Sequence, residues 1–272
     1  MREFSFFYKP GTAGYVRGKQ MADYLKGKHN PKSGFENDTC IYVKTLPPDK
    51  PPKHTYMDVD DAPKAVEWLK THPEVGVIAV GITAYFFLRK ELNRDDIYII
   101  PHQHCNFERW IRPIVRDVET VGIIGSKTSF QHPIEDLRKR LDKIGLKLSY
   151  EADYWKNYSS SEEKEGRIKV CDFYKTVDIQ VVWRPKTKSL WNPNKLGNAA
   201  SFGIPTISYP EPSYVAEWHG AFIPVETIDE MIAECKKMKE DEDYYNECCA
   251  KSWNFSQKYF IIDIGQLYKD LP

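Results

Sequence analysis

Apolar runs of strand type alternate along this chain with helical segments, and midway the alternation breaks off and starts again. VGVIAVGI (75–82) is a continuous apolar run, the pattern of a parallel strand buried on both faces. FSFFY (4–8), TCIYVKTL, DDIYIIP, VGIIG (121–125), KLSYEAD and VDIQVVW (177–183) are further strand-type segments. Between them lie helical patterns: KQMADYLKGK, PKAVEWLKTH, TAYFFLRKEL and HPIEDLRKRLDKIG, the last ending on Gly145. After IYIIP the pattern gives way to NFERWIRPIVRDVE, dense in charge and broken by Pro113, and VGIIG then restarts it.

Such alternation calls for parallel sheets covered by helices. The expected fold class is α/β, with two Rossmann-like domains facing a cleft. Their expected bounds are 1–115 and 116–253, followed by a closing segment, 254–272. The 272 residues suffice to bury two small cores. Balanced charge, 39 basic against 39 acidic residues, argues against a coat for duplex nucleic acid or an anionic membrane. The N-terminus MREFSFFYKPG has no long apolar region, and no run of about 18 apolar residues occurs. A cytoplasmic protein is expected. The six cysteines (40, 105, 171, 235, 248, 249) form no CxxC pair and read as buried thiols in a reducing compartment.

The chemistry concentrates after VDIQVVW. A basic, proline-broken loop, RPKTKSLWNPN, leads into a short helix of small residues from Lys195 to Phe202. Gly203 suits its C′ position and Pro205 bars continuation, so TISY reads as the next strand. Unsatisfied N–H groups and a partial positive charge at the helix N-terminus, with Arg184, Lys186, Lys188 and Lys195 nearby, suit a diphosphate.

The segment K-x-x-N-A-A-S-F-G-I-P-T-I (195–207) resembles the donor-binding segment of the GT-B glycosyltransferases, in which a strand–loop–helix unit of the C-terminal domain holds a nucleotide-sugar. Many retaining members carry a Glu where Asn198 stands here. The resemblance implies transfer of a sugar from a nucleotide-diphosphate donor, a UDP- or GDP-sugar, to a hydroxyl acceptor. A glycan, a lipid-linked group, a protein and a nucleic acid all remain open as that acceptor. No cofactor and no metal is expected. Arg184, Lys186 and Lys195 would neutralise the leaving diphosphate. Asn198 would position ribose or phosphate, and Glu211 and Tyr214 would reach ribose or sugar. The loop of Gly125, Ser126 and Lys127 would face the donor phosphates. The closing helix would cross back onto the first domain.

The first domain supplies the remaining candidates. Arg17, after the loop KPGTAGYVRG, would touch a phosphate or the acceptor; otherwise it is a solvated first-turn residue. His102 and His104 follow IYIIP, at the carboxyl end of a strand where ligands of such sheets bind; the resemblance implies that either would serve as general base, and the alternative is a structural loop whose histidines bond to backbone. A zinc cluster of His102, His104 and Cys105 lacks a paired motif. Asp58 and Asp60 form a D-x-D, the metal signature of the other glycosyltransferase fold, but Asp61 before Pro63 reads better as a helix cap. G-x-G-x-x-G and G-x-x-x-x-G-K-[ST] are both absent, which weakens NAD or P-loop readings. The rival function is a non-catalytic nucleotide or single-strand nucleic-acid binder that stacks bases on Trp183 and Trp191 among Arg184, Lys186 and Lys188.

Overall fold

The structure, a computed structural model, describes residues 3–11, 13–60, 62–111, 117–125, 130–152, 163–186 and 193–272. It divides into two compact units. One comprises the chain up to Gln103 together with Tyr259–Pro272; the other runs from His104 to Lys258.

Among the described residues, the first unit holds a six-stranded sheet built from β1 (Phe4–Tyr8), β2 (Lys28–His29), β3 (Thr39–Val43), β4 (Thr55–Asp58), β5 (Gly76–Ala79) and β6 (Ile97–Ile99). All pairings are parallel and the order is β2-β1-β3-β4-β5-β6. Helices α1 (Gln20–Leu25), α2 (Pro63–Leu69) and α3 (Ile82–Leu92) cover it. Met57, Val77 and Ala79 of the sheet pack with Ala65, Val66, Leu69, Ala84 and Leu88 of α2 and α3 in one core. β4 is fully buried although its sequence, TYMD, follows a proline-rich stretch and ends in an acid. It is held as a strand by neighbours on both sides rather than by its own pattern. Ala62 takes the N-cap position of α2 without a side-chain cap; Asp61, the expected cap, lies outside the described residues.

Between β1 and α1 the chain forms a wide π-type turn, Gly14–Lys19, that runs directly into the helix. This turn lies so close to β1 that a Cβ on Gly14 would fall 1.9 Å from the Lys9 carbonyl oxygen, and one on Gly18 would fall 2.5 Å from the Tyr8 ring. The glycines therefore serve backbone approach, and the result is that Arg17 faces inward.

The second unit repeats the plan with β7 (Thr120–Gly125), α4 (Ile134–Lys143), β8 (Lys147–Ala152), α5 (Glu163–Lys175), β9 (Ile179–Val182), α6 (Asn194–Ala200), β10 (Thr206–Ser208), α7 (Pro212–Glu217) and β11 (Ile223–Pro224). Its parallel sheet has the order β11-β10-β9-β7-β8. Val121, Ile123, Ile179 and Val181 pack with Leu137 and Leu141 of α4 and with Met231, Cys235, Met238 and Tyr245 near the chain's end; Ile124 packs with Phe173 and Tyr174 of α5, Ala199 of α6 and Phe202 just after it. Gly203, at φ +72°, ends α6 as its sequence predicts. The segment EPSYVAE forms α7 with Pro212 in its first turn. The charged stretch after Thr227 forms two helices, α8 (Ile228–Glu240) and α9 (Glu242–Ser256). Asp241 separates them and caps α9, its Oδ1 accepting from Tyr244 N at 2.9 Å.

The first unit closes at Gln103, earlier than the expected 115. Asn106 explains the shift: its Nδ2 donates to the Ser201 carbonyl at 2.7 Å, and Trp110 packs against Phe202. The chain end forms α10 (Ile261–Lys269), which packs on the first unit through Tyr268 against Phe6 and the Tyr56 hydroxyl against the Pro272 carbonyl at 2.5 Å. No described helix is long and apolar enough to cross a membrane.

Gly14→Ala should cost about 1–3 kcal/mol, because a backbone carbonyl has to move for the methyl to fit. Denaturant titration should show a lower midpoint at an unchanged m-value.

Candidate functional site

In both sheets the strand order reverses once, between β1 and β3 and between β7 and β9. The crevice beyond the carboxyl ends at such a reversal is where open parallel sheets bind ligands. In the second unit Lys195 occupies it. This residue opens α6, after β9, and its Nζ donates to the carbonyl of Ile124, near the end of β7, at 2.8 Å. Burial, and then the nearby Arg184 guanidinium, push the Lys195 ammonium down to about 7. The residue is therefore a cation held close to its point of deprotonation.

A buried polar network fixes this lysine. Gln180 Nε2, in the middle of β9, donates to the Lys195 carbonyl at 3.0 Å and to Thr206 Oγ1 of β10 at 2.9 Å, while its Oε1 accepts from the Tyr174 hydroxyl at 2.6 Å. Every polar atom of the Gln180 side chain thus has work inside the sheet, and the start of α6 is tied to two strands and α5. Sequence reasoning passed Gln180 over; its signal was a lone amide in an otherwise apolar run, VDIQVVW.

Arg184 lies just past β9. Its Nε and Nη2 donate to the two carboxylate oxygens of Glu211, both at 2.7 Å, and Nη2 also donates to the Tyr214 hydroxyl at 2.7 Å. Glu211, expected on ribose or sugar, is instead bound by Arg184 and is fully buried; Tyr214 is buried on α7 beside it. Burial raises the Glu211 carboxyl, against the pull of Arg184, and raises the Tyr214 hydroxyl likewise. Arg184's charge is therefore balanced within the fold. Lys186 is exposed, and its backbone N–H donates to Gln131 Oε1 at 3.4 Å. Asn198 Oδ1 accepts from the backbone N–H of Cys105 at 2.8 Å. Gly125 ends β7 at φ +129°, whereas Ser126, Lys127, Lys188 and Trp191 lie outside the described residues. Trp183, offered as a base-stacking surface, is 9% exposed and meets the Tyr209 ring edge-on.

The first unit collects a second polar group at the carboxyl ends of its strands. Arg17, expected in solvent or on a ligand, is fully buried and its Nε donates to Asp58 Oδ2 at 2.6 Å. Tyr268 of α10 donates its hydroxyl to the same oxygen at 3.2 Å. Burial raises the Asp58 carboxyl, with Arg17 opposing; burial pulls Arg17 down, but Asp58, Tyr268 and Asp60 hold it above its ordinary range. His102 Nε2 lies 3.4 Å from Asp60 Oδ1, both buried, and Lys44 Nζ is 3.7 Å from Asp60 Oδ2. Burial alone would lift the Asp60 carboxyl, but the bond to His102 and the charges of His102, Lys44 and Arg17 hold it below the usual carboxylate range. The two acids of the D-x-D are thus engaged by Arg17 and His102. His104 belongs to the second unit, where burial pushes it down to about 4. Among the described residues, no three His, Cys, Asp or Glu side chains are grouped to share a metal ion.

Two Rossmann-like units, each with a parallel sheet and polar side chains at its reversal, make this the fold of the GT-B glycosyltransferases. Solved structures of that class match it nearly end to end. A glycosyltransferase from Rickettsia africae is 12% identical, covers 99% of this chain and 97% of its own, and has a TM-score of 0.62. Anabaena Alr3699/HepE, solved with UDP-glucose, is 10% identical over 98% of both chains, with a TM-score of 0.61. TarM is 13% identical with a TM-score of 0.59; the match takes in 87% of this chain and only 55% of TarM. No protein-family model matches the sequence, and no curated protein does.

Truncating one member of a buried ion pair strands the other, at about 3–5 kcal/mol. Glu211→Ala should therefore lower stability by that order, and adding Arg184→Met should recover most of the loss. Chemical denaturation of the single and double variants measures both.

Proposed function

We propose that this chain is a glycosyltransferase that moves a sugar from a UDP-sugar to a hydroxyl acceptor without a bound metal. The observation that carries the reading is Lys195: a desolvated ammonium in the crevice of the β7–β9 reversal, anchored to the Ile124 carbonyl. Such a group is poorly solvated until an anion arrives, and the charge that develops on a departing nucleoside diphosphate is such an anion. Arg184, held in place by Glu211 and Tyr214, sets the second cation of the site beside it. Asn198 and the Gly125 turn would line the same donor site. The choice of UDP leans on HepE, whose structure contains UDP-glucose.

His102 is the better of the two histidines for the acceptor. Asp60 lies at hydrogen-bonding range and would stabilise the imidazolium formed when the acceptor hydroxyl gives up its proton. His104, pushed down to about 4, is too weak a base at neutral pH. With a base in place, the acceptor oxygen attacks the anomeric carbon as the C–O bond to the diphosphate breaks, and the proton ends on His102.

A thermal-shift screen against UDP, GDP, CDP, TDP, ADP, their sugar conjugates and NAD tests the donor. A selective rise with UDP that survives chelator is expected; a rise only with NAD, or only with added metal, would overturn the reading. The pH dependence is specific to Lys195. Its pKa in the unliganded protein is about 7, and pairing with a diphosphate raises it, so binding takes up a proton above that pH. UDP affinity should thus fall as pH rises from 7 to 9, by up to about tenfold per unit. Lys195→Met should flatten this profile, and Lys195→Ala should sharply reduce transfer while the fold persists; near-normal turnover would sink the assignment. His102→Asn should lower kcat by about 10²–10⁴-fold and leave the UDP-induced shift intact. Wild-type kcat in that variant would remove His102 from the mechanism.

A further inference from the structure

Two of the six thiols stand apart from the rest. Cys105, partly exposed, lies in the segment after β6, and Cys171 lies buried on α5; both belong to the second unit. The Cys171 sulfur lies against the backbone of Cys105, which brings the two residues side by side. Cys171 Sγ donates to the Cys105 carbonyl at 3.3 Å. Arg167, one helical turn before Cys171, donates Nη1 to the same carbonyl at 2.8 Å and sits 3.9 Å from Cys171 Sγ. Glu108 holds the guanidinium in place through both carboxylate oxygens, at 2.8 and 2.6 Å. A pair of thiols beside an anchored cation is the environment that favours a thiolate and supplies a second sulfur to resolve its oxidation.

We propose that Cys105 and Cys171 form a redox pair that a peroxide closes to a disulfide. In the first step the Cys171 thiolate attacks one oxygen of hydrogen peroxide; the O–O bond breaks, leaving a sulfenic acid on Cys171 and releasing hydroxide, which takes up a proton as water. In the second, the Cys105 sulfur attacks the sulfenic sulfur, the S–O bond breaks, and a second water leaves. The sum is two thiols and one peroxide to one disulfide and two waters. The electrostatics agree with the order of attack. The bond from Cys105, and then Arg167, lower the Cys171 thiol against the effect of burial, whereas burial raises Cys105 well above its ordinary range. Elsewhere burial raises the thiols, Cys40 to about 12 and Cys235 and Cys248 upward as well.

The bond would act on the segment that carries His102 and His104. Cys105 N–H is held by Asn198 of α6, and its carbonyl by Arg167, so a new link at its sulfur pulls on a backbone already pinned at both ends. This consequence for transfer rests on the function proposed above; the disulfide itself does not.

The test treats the reduced full chain with hydrogen peroxide, alkylates the remaining thiols and maps the peptides by mass spectrometry. A linked pair of peptides carrying Cys105 and Cys171, two mass units lighter and released by dithiothreitol, is expected. Cys105→Ser should accumulate a dimedone-reactive sulfenic acid at Cys171, and Cys171→Ser should leave Cys105 alkylatable. Peroxide-treated wild type in which both cysteines still alkylate, or in which the link joins other cysteines, would overturn the pair. Transfer by the oxidised wild type should drop at least severalfold and return on reduction, with Cys171→Ser insensitive throughout; unchanged transfer in fully linked protein overturns the regulatory role. A reduced protein without any UDP-induced shift instead condemns the donor site, and the linkage result stands on its own.

Discussion

An ammonium group in a crevice between parallel strands has given up most of its water, and the second unit is arranged around that fact. Among the described residues its direct hydrogen-bond partner is the carbonyl of Ile124, and the neighbouring guanidinium of Arg184 is of like charge. A flexible lysine would ordinarily escape such a position by swinging its head into solvent. Here its backbone is fixed by Gln180, whose amide is itself saturated by Tyr174 and Thr206, so the start of α6 cannot rotate without leaving buried polar atoms unpaired. Glu211, bound to Arg184 on two oxygens, offsets the repulsion between the two cations, and its charge also opposes the effect of burial on the Lys195 ammonium. The arrangement is preorganised for an anion and unfavourable without one.

The first unit uses the same sheet order to different effect. Its buried acids each have a partner: Asp58 pairs with the buried Arg17, and Asp60 faces His102 at 3.4 Å and the exposed Lys44 at 3.7 Å. Desolvated pairs of this sort contribute little net stability, since removing charges from water offsets much of their attraction. Their value lies in fixing geometry. Tyr268 brings the chain end into that geometry, because its hydroxyl shares the Asp58 oxygen with Arg17.

How much of this was written in the sequence depends on the range over which each feature is decided. β5, β7 and β9 with α6 and Gly203 were legible because long apolar runs and Gly/Pro punctuation act locally. β4 and α7 were not: TYMD is a strand because β3 and β5 flank it, and EPSYVAE hides a helix behind Pro212. The acidic run around Asp241 looked like a solvated face, yet it contains a cap that splits one helix into two. At the site, Lys195 and Arg184 were visible as charges in a loop, but Glu211 as the partner of Arg184, 27 positions on, was not. Arg17 was misplaced for the same reason: nothing near it in sequence says that Asp58, 41 positions away, draws it inside.

That contrast bears on how one topology can carry two tasks. At the β7–β9 reversal the described residues give the Lys195 ammonium one hydrogen-bond partner, an arrangement that suits the diphosphate site proposed for it. At the carboxyl ends of the first sheet it pairs an acid with a histidine, which suits a site that moves one proton and must not hold an ion tightly. Exchanging the two would fail on electrostatic grounds: an Asp60-like carboxylate beside Lys195 would quench the charge that attracts a diphosphate, and a lone buried cation beside His102 would lower the basicity that a proton acceptor needs. The parallel sheet supplies the crevice in both cases, and on the proposed reading the side chains set at its edge decide whether that crevice takes an anion or a proton.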